Sequence, residues 1–379
     1  MSNLRRAFLF ANHVLYAFII RPIIFRLSAQ SAHDALLRLL SLLDRFSLAG
    51  RALSLIHRLA FENHPRQAGG VTLAQPLILA AGFVKGQGFS TEAEALTAVR
   101  QNKNVIPGWR TMPRLVGLVE FGSFTRYPRP GNPGIVIWRD TDTRSTQNRV
   151  GLRNPGALAA AAFLARNHRH LPEQFGINIA MTPGINDPEE QQDHLRQAFD
   201  AFLSHDIQPT WFTLNLSCPN TEDDPTGSQT ADQARRYCST VLESIQANGH
   251  QLPLWVKVSP DLAPDQYMTL MHVFQELGVR AVLATNTLPR PVPGTPTLDA
   301  GVGGGRLHEH TLNAVACLAR AGASRQANVD IIACGGIMDG RSYRAFTDQG
   351  VQIAQYWSAL IYRGPLAAAI IDHEARNTS

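Results

Sequence analysis

The stretch FTLNLSCPNT, residues 212–221, opens as a buried strand and ends in small polar residues that bracket one thiol, Cys218, between two amides, Asn215 and Asn220. A thiol with an ordinary pKa near 8.5 acts as a base or nucleophile only where its surroundings favour the thiolate. An amide offers a donor and an acceptor from one group, which suits a ligand edge that alternates N–H and C=O. Asn148, Asn286 and Thr287 repeat that chemistry elsewhere in the chain. Only three lysines, Lys85, Lys103 and Lys257, stand among 35 basic residues. A lysine kept in so arginine-rich a chain marks a place for a compact ammonium that the planar guanidinium cannot replace. Each Asn alone reads equally well as a loop cap, and an isolated Cys as an inert core residue.

A site of this kind needs elements that converge. From Gly70 onward the chain repeats a short apolar run, a polar loop and a helical pattern. The runs start at Pro76 (PLILAAG), Gly117 (GLVEFGSFT), Gln174 (QFGINIA), Trp211 (WFTLNLS), Leu254 (LWVKVSP), Ala281 (AVLATNT), Asp330 (DIIACGG) and Ala354 (AQYWSAL). Runs apolar on both faces belong in a parallel sheet buried on both sides, and eight such units predict an α/β fold, a (β/α)8 TIM barrel. An open doubly wound sheet is the alternative. Barrel chemistry sits at the carboxyl ends of the strands. Here those ends carry Gly82 with Lys85, Ser123 with Thr125, Asn178, Asn215 with Cys218, Lys257, Thr285-Asn286-Thr287, Gly335-Gly336 and Ser358. This ring of amides, hydroxyls and lysines, poor in carboxylates, fits a polar, anionic, heteroaromatic ligand. The glycines of GVGGG and CGG let backbone N–H groups approach a phosphate.

The motifs LAAGFVK, RPGNP, NRVGLRNPGA, GINIA, NLSCPNT, VKVSPDL, ATNT, GVGG, CGGI and YWSALIYRGP follow one another in an order that resembles the dihydroorotate dehydrogenases. These are FMN enzymes that oxidise dihydroorotate to orotate in pyrimidine synthesis, and the resemblance runs from about Ile20 to Pro365. It implies FMN contacts at Ala81, Gly82, Lys85, Ser123, Asn178, Asn215, Lys257, Thr285, Gly304, Gly336, Trp357 and Ser358. It implies orotate contacts at Lys85, Asn148, Gly151, Leu152, Asn215, Asn220, Asn286 and Thr287. Cys218 falls where the family places the base that takes the C5 proton while the C6 hydride passes to the flavin. The N-terminal RPIIFRLSAQSAHDALLRLL resembles the helical extension of the membrane-associated class, which delivers electrons to a quinone. Cys218, where that class has Ser, and Leu152, where it has Phe, are instead features of the soluble class. Arg153 replaces an amide and Val84 an acidic residue, so the chain joins a quinone-class framework to a soluble-class base.

The net charge of +5 is concentrated at one end, since residues 1–60 carry eight Arg against two Asp and the rest is near neutral. An apolar run from Ala7 to Ile20 is broken by Asn12 and His13 and ends at Arg21-Pro22. It is read as too short to cross a hydrocarbon core of about 30 Å. Two amphipathic helices are predicted, the second carrying Leu36, Leu37, Leu40, Leu43 and Phe46, lying in the interface of an anionic membrane. A helical hairpin packed on its own protein and a secretory signal are the rival readings. The expected division is 1–60 as a membrane-associating, quinone-access segment and 61–379 as the FMN barrel, peripheral on the cytoplasmic face of the inner membrane. Four scattered cysteines without a Cys-x-x-Cys pair argue against a disulfide framework or structural zinc site, and His308-Glu309-His310 reads as a helix start rather than a metal site. No nucleic-acid partner is expected. A related FMN oxidoreductase acting on another cyclic amide, and a non-catalytic flavin-binding membrane protein, stand as the alternative functions.

Overall fold

Each of the eight apolar runs forms a strand in the computed structural model, which describes residues 2–205, 207–216, 230–323 and 328–377. In chain order they are β1 (Leu77–Leu79), β2 (Leu118–Phe124), β3 (Phe175–Ala180), β4 (Trp211–Asn215), β5 (Leu254–Val258), β6 (Ala281–Ala284), β7 (Asp330–Cys334) and β8 (Ala354–Tyr356). Neighbours pair in parallel in that order and β8 closes on β1, so the sheet is a closed barrel and the open-sheet alternative falls. Every residue of β2, β3, β4 and β5 is buried, as strands covered on both faces must be.

The inward residues of β4 show how one strand prepares the site. Trp211 lies at the amino end, stacked on Trp255 of β5 with ring centroids 4.5 Å apart. Gly176 on β3 leaves room for it, because a Cβ there would lie 2.2 Å from the indole. A hairpin of Arg66–Ala68 and Val71–Leu73 closes this end, its Gly69 carbonyl accepting from Trp255 Nε1 at 2.8 Å. One layer up, Thr213, Trp211, Asn178 and Gln355 all donate to the fully buried Glu120 carboxylate. Asn215 then opens at the carboxyl end. Outward-facing Phe121, Phe124 and Phe212 bury against the surrounding helices, leaving the interior free to turn polar toward the mouth.

The N-terminal segment forms three helices rather than the two predicted. Helix α1 (Ser2–Leu15) continues through a π turn, Tyr16–Ile20, into Arg21–Ile24; α2 spans Ala29–Leu43 and α3 spans Ser47–Ala60. Phe46, expected on the second helix, lies outside it and is 54% exposed. The expectation that the first apolar stretch is too short also needs correction. Asn3–Ile24 is one 22-residue helix containing an apolar 18-residue window, long and apolar enough by length and composition to cross a membrane. It carries Pro22 just after the π turn Tyr16–Ile20, where the hydrogen-bond ladder has already shifted and the Arg21 amide donates to the Tyr16 carbonyl. Its inner side is docked on the protein, with Arg5 Nε donating to the Ala60 carbonyl, Tyr16 Oη to that of Ile361 and Arg21 Nη1 to that of Tyr362, at 2.8, 2.7 and 3.1 Å. Asp44, past the end of α2, ties the segment to the barrel by accepting from Asn104, from the Gly108 amide, and from the amide and hydroxyl of Thr111. Of the 17 large exposed hydrophobic side chains among the described residues, 14 lie between Leu4 and Leu59.

Candidate active site

A cavity of about 150 Å³ lies at the carboxyl end of the barrel. Ala81, Gly82 and Lys85 follow β1 into its wall, Ser123 comes from β2, and Asn215 and Lys257 from β4 and β5. Thr285, Asn286 and Thr287 line it after β6, Gly336 after β7, and Trp357 and Ser358 after β8. Asn148, Gly151, Leu152 and Gly304 reach it from a four-stranded antiparallel excursion, Ile137–Asp140, Ser145–Asn148, Leu288–Val292 and Thr295–Gly304, that covers the mouth. Asn178 does not line the cavity. It is fully buried one layer below, its amide directed to Glu120 at 3.4 Å. Cys218 and Asn220 lie outside the described residues.

The polar groups form a connected layer. Asn286 Nδ2 donates to Asn215 Oδ1 at 3.3 Å, Asn215 Nδ2 to Ser123 Oγ at 3.5 Å, and the Thr287 amide to Asn286 Oδ1 at 2.9 Å. The Thr287 hydroxyl is buried with no partner among the described residues. A buried hydroxyl without a partner costs stability unless a ligand satisfies it. Lys257 is 6% exposed and donates to Cys334 Sγ at 3.4 Å; burial raises the pKa of that thiol above its ordinary value while the ammonium opposes the shift. Among the described residues no Asp or Glu lines the cavity, whereas two lysines do. The enclosed field is therefore positive and suits a ligand that carries or develops negative charge.

Backbone shape matters at two places. Gly151 and Leu152 both adopt left-handed φ, 70° and 53°, which turns the loop inward and is uncommon for Leu. At Gly303 a Cβ would project among Ser358 Oγ, Thr287 Cγ2 and Thr146 Oγ1, at 3.5, 3.8 and 3.9 Å, all cavity-lining side chains. Its absence keeps a cradle open beside Gly304 and Ser358. The hydroxyl-rich, glycine-walled cradle and the buried ammonium of Lys257 fit a phosphate-bearing ring system that takes on negative charge, such as FMN.

A second space of about 440 Å³ adjoins the cavity, sharing His33, Ile137, Thr146 and Trp357 with it. Helix α2 supplies Ala32, Ala35, Leu36 and Leu39 to its wall, the continuation of α1 supplies Ile20 and Ile24, and the barrel side supplies Met112 and Leu115. It is an apolar passage from the helical segment to Trp357. His33 stands at the junction, its pKa lowered to about 4 by burial and by the nearby Arg153 and Lys85. Arg139 also lines the passage, stacked 4.2 Å over the Phe25 ring.

The family model described as dihydroorotate dehydrogenase matches residues 66–378. The chain belongs to the dihydroorotate dehydrogenase family. A relative from Chloroflexus aurantiacus named dihydroorotate dehydrogenase (quinone) is 28% identical, the match covering 93% of this chain and 94% of that one. A relative of the same name from Azoarcus sp. is 31% identical over 92% of this chain and 94% of its own. Among solved structures, DHODH from Eimeria tenella in complex with ferulenol superposes with a TM-score of 0.68 at 21% identity, covering 93% of each chain, which speaks for the fold.

Within the dihydroorotate dehydrogenase frame, several residues escaped sequence reasoning. Thr146 and Gln147 line the cavity from the strand Ser145–Asn148, whose sequence STQN has no apolar alternation to announce a strand. Thr146 Oγ1 lies 2.6 Å from Ser358 Oγ. His33 sits on a helix predicted for its leucines alone. Glu120 did leave a signal, a carboxylate inside the otherwise apolar run GLVEFGSFT. Arg153 does not line the cavity; its side chain packs beside Gly131, where a Cβ would come within 2.9 Å of the Arg153 Cβ.

Proposed function

We propose that this chain oxidises (S)-dihydroorotate to orotate with FMN in pyrimidine biosynthesis and passes the electrons to a quinone. The observation that carries the reading is the pair of spaces meeting at Trp357: a cavity whose described wall has two lysines, four hydrogen-bonding side chains at Asn148, Asn215, Asn286 and Thr287 and no carboxylate, opening onto an apolar passage. FMN, when bound, supplies the two-electron acceptor for the C6 hydride. The chain's own groups orient and polarise. Asn215, Asn286 and Thr287 meet the alternating N–H and C=O edge of the substrate ring, and Lys85 its negative charge. Lys257 would stabilise negative charge on a flavin held in the cavity. Cys218 would be the base that takes the C5 proton. Residues 1–60 form a membrane-associating, quinone-access unit beside the barrel of residues 61–379. The exposed Leu and Phe side chains of that unit, with its net charge of +6, support a peripheral place on the cytoplasmic face of the inner membrane.

Anaerobic reduction of the bound flavin by dihydroorotate, then reoxidation with decylubiquinone, fumarate or NAD in turn, tests the reading. Reduction by dihydroorotate and reoxidation chiefly by the quinone are expected. Removal of residues 1–45 should spare the first step and abolish the second. Rapid reoxidation by fumarate alone would overturn the acceptor, and absence of reduction by dihydroorotate the substrate.

A further inference from the structure

On the rim of the barrel opposite the cavity, a cleft of about 750 Å³ opens between α3, the short helix Met112–Val116 and the segments entering β1, β2 and β3. Its wall is cationic. Arg51 and Arg58 come from α3, Arg110 and Arg114 from the barrel side, and His57 and His170 join them, against one carboxylate, Glu173. Among the described residues none of the four arginines forms an ion pair with a carboxylate. Arg110 reaches only the backbone carbonyl of Asp44, at 3.4 Å, and its Nε is buried without a partner; Arg114 donates to the carbonyl of Arg110. The Asp44 carboxylate itself is engaged by Asn104, Gly108 and Thr111.

The two barrel-side guanidinium groups converge beneath Gly50 of α3. The point where a Cβ at Gly50 would sit is 3.9 Å from Arg110 Nε, Arg110 Nη2 and Arg114 Nε. Burial and the neighbouring Arg110 both lower the pKa of Arg114, and the same two arginines contribute to lowering that of His170. Two partly buried like charges that share a point, offset only in part by the Asp44 carboxylate, are costly unless an anion occupies the space between them.

The surroundings say which anion. Leu48, Leu55 and Leu59, 75, 52 and 36% exposed, run along α3 beside Arg51 and Arg58. Helix Met112–Val116 is a common wall, with Met112 and Leu115 facing the apolar passage and Pro113 and Arg114 facing the cleft. A ligand with a phosphate and attached hydrocarbon matches a basic cleft continued by an apolar stripe.

We propose that this cleft binds the phosphate of an anionic phospholipid, held between Arg110 and Arg114 and flanked by Arg51 and Arg58, with the acyl chains over Leu48, Leu55 and Leu59. The assignment rests on the reading that the helical segment meets a membrane, and adds a specific headgroup site to it.

The experiment measures binding of the full-length flavoprotein to vesicles of phosphatidylcholine alone and of an equimolar phosphatidylcholine–phosphatidylglycerol mixture. Arg110→Gln/Arg114→Gln should weaken binding to the mixed vesicles about tenfold or more, from the usual contribution of each basic residue near an anionic surface. Binding to phosphatidylcholine should not change. Arg26→Gln/Arg45→Gln, which removes the same charge from exposed positions of the helical segment, should cost less. Diffuse attraction predicts the reverse order, since exposed arginines approach the surface more closely, and that result would overturn the site. Gly50→Asp sets a carboxylate between the two guanidinium groups; it should raise Tm and abolish the preference for mixed vesicles. Unchanged preference in both variants, with wild type still binding, would sink the cleft while sparing the membrane reading; wild type binding neither vesicle would sink both. If inorganic phosphate raised the wild-type Tm as much as a short-chain phosphatidylglycerol does, the ligand would be free phosphate and the lipid assignment would fail.

Discussion

The cavity and the passage touch at Trp357, Thr146, Ile137 and His33, yet they are built by different means. The cavity walls are strand ends and glycine turns, so its hydrogen-bonding groups are fixed by barrel closure. The passage walls are largely apolar side chains on helices that precede the barrel in sequence. One space is specified by backbone, the other by a removable layer of side chains. Ligand chemistry at the cavity therefore resists change, whereas the passage can be reshaped without disturbing the barrel.

Substitutions of the residues proposed for the cavity's chemistry should have the largest effects. Cys218→Ala should retain FMN and orotate binding but slow flavin reduction by about 10²- to 10⁴-fold, the usual contribution of a positioned base. Stopped-flow reduction across pH checks it, with Cys218→Ser intermediate; an alanine variant as fast as wild type at every pH would remove the thiol from the chemistry. Lys257→Ala should follow, with reduction slowed about 10²- to 10³-fold or flavin lost, since a buried ammonium acts where charge develops. Flavin content by absorbance separates those two outcomes, and full occupancy with unchanged reduction would contradict the role. Neither variant should alter the order of acceptor preference.

The same division governs what the sequence reveals. All eight barrel strands were legible, because a strand buried on both faces reads as a mostly apolar run, even where Glu120, Asn178, Lys257 or Gln355 interrupts it. Most of the cavity ring was legible for the same reason, as every run but that of β3, whose Asn178 lies below the cavity, ends in or leads into a cavity-lining residue. The excursion strand Ser145–Asn148 was not, since it is held by pairing with Ile137–Asp140 and Thr295–Gly304 rather than by its own apolar pattern. Glu120 was visible in its run but its role was not, because its partners Thr213, Asn178 and Gln355 come from three other strands. In the helical segment, Gly50 and two serines within Ser47–Ala60 weaken the local helix signal, and the third helix depends on packing against Met112–Val116.

His33, at the junction of the two spaces, sharpens the comparison through pH. Its pKa is lowered to about 4 by burial first, then by Arg153 and Lys85, with Asp34 opposing. The folded protein therefore keeps His33 neutral where the unfolded chain, near pH 6.5, has begun to bind a proton. Its contribution to stability is fully present above pH 6.5 and is lost as pH falls from 6.5 toward 4, by roughly 3 kcal/mol at most. Replacing it by Phe should flatten the acid limb of a Tm-versus-pH curve in that window. A variant with the same acid limb as wild type would show that His33 is not held neutral.

The smallest effect is expected in the passage, and it isolates the passage from membrane binding in a way that truncation does not. Ala32 lines the apolar space from α2, close to His33 and the junction. Ala32→Trp puts a large ring into a space of about 440 Å³ while leaving the barrel, the cavity wall and the charge of the segment untouched. Narrowing an apolar site by misplaced bulk typically costs 1–3 kcal/mol, so the KM for decylubiquinone should rise about tenfold. Flavin reduction by dihydroorotate should keep its wild-type rate, because no group that meets the substrate has moved. Steady-state quinone kinetics set beside stopped-flow reduction make the distinction. Slower reduction with an unchanged quinone KM would mean that α2 supports the cavity itself, and that the two spaces are not separable by side chain.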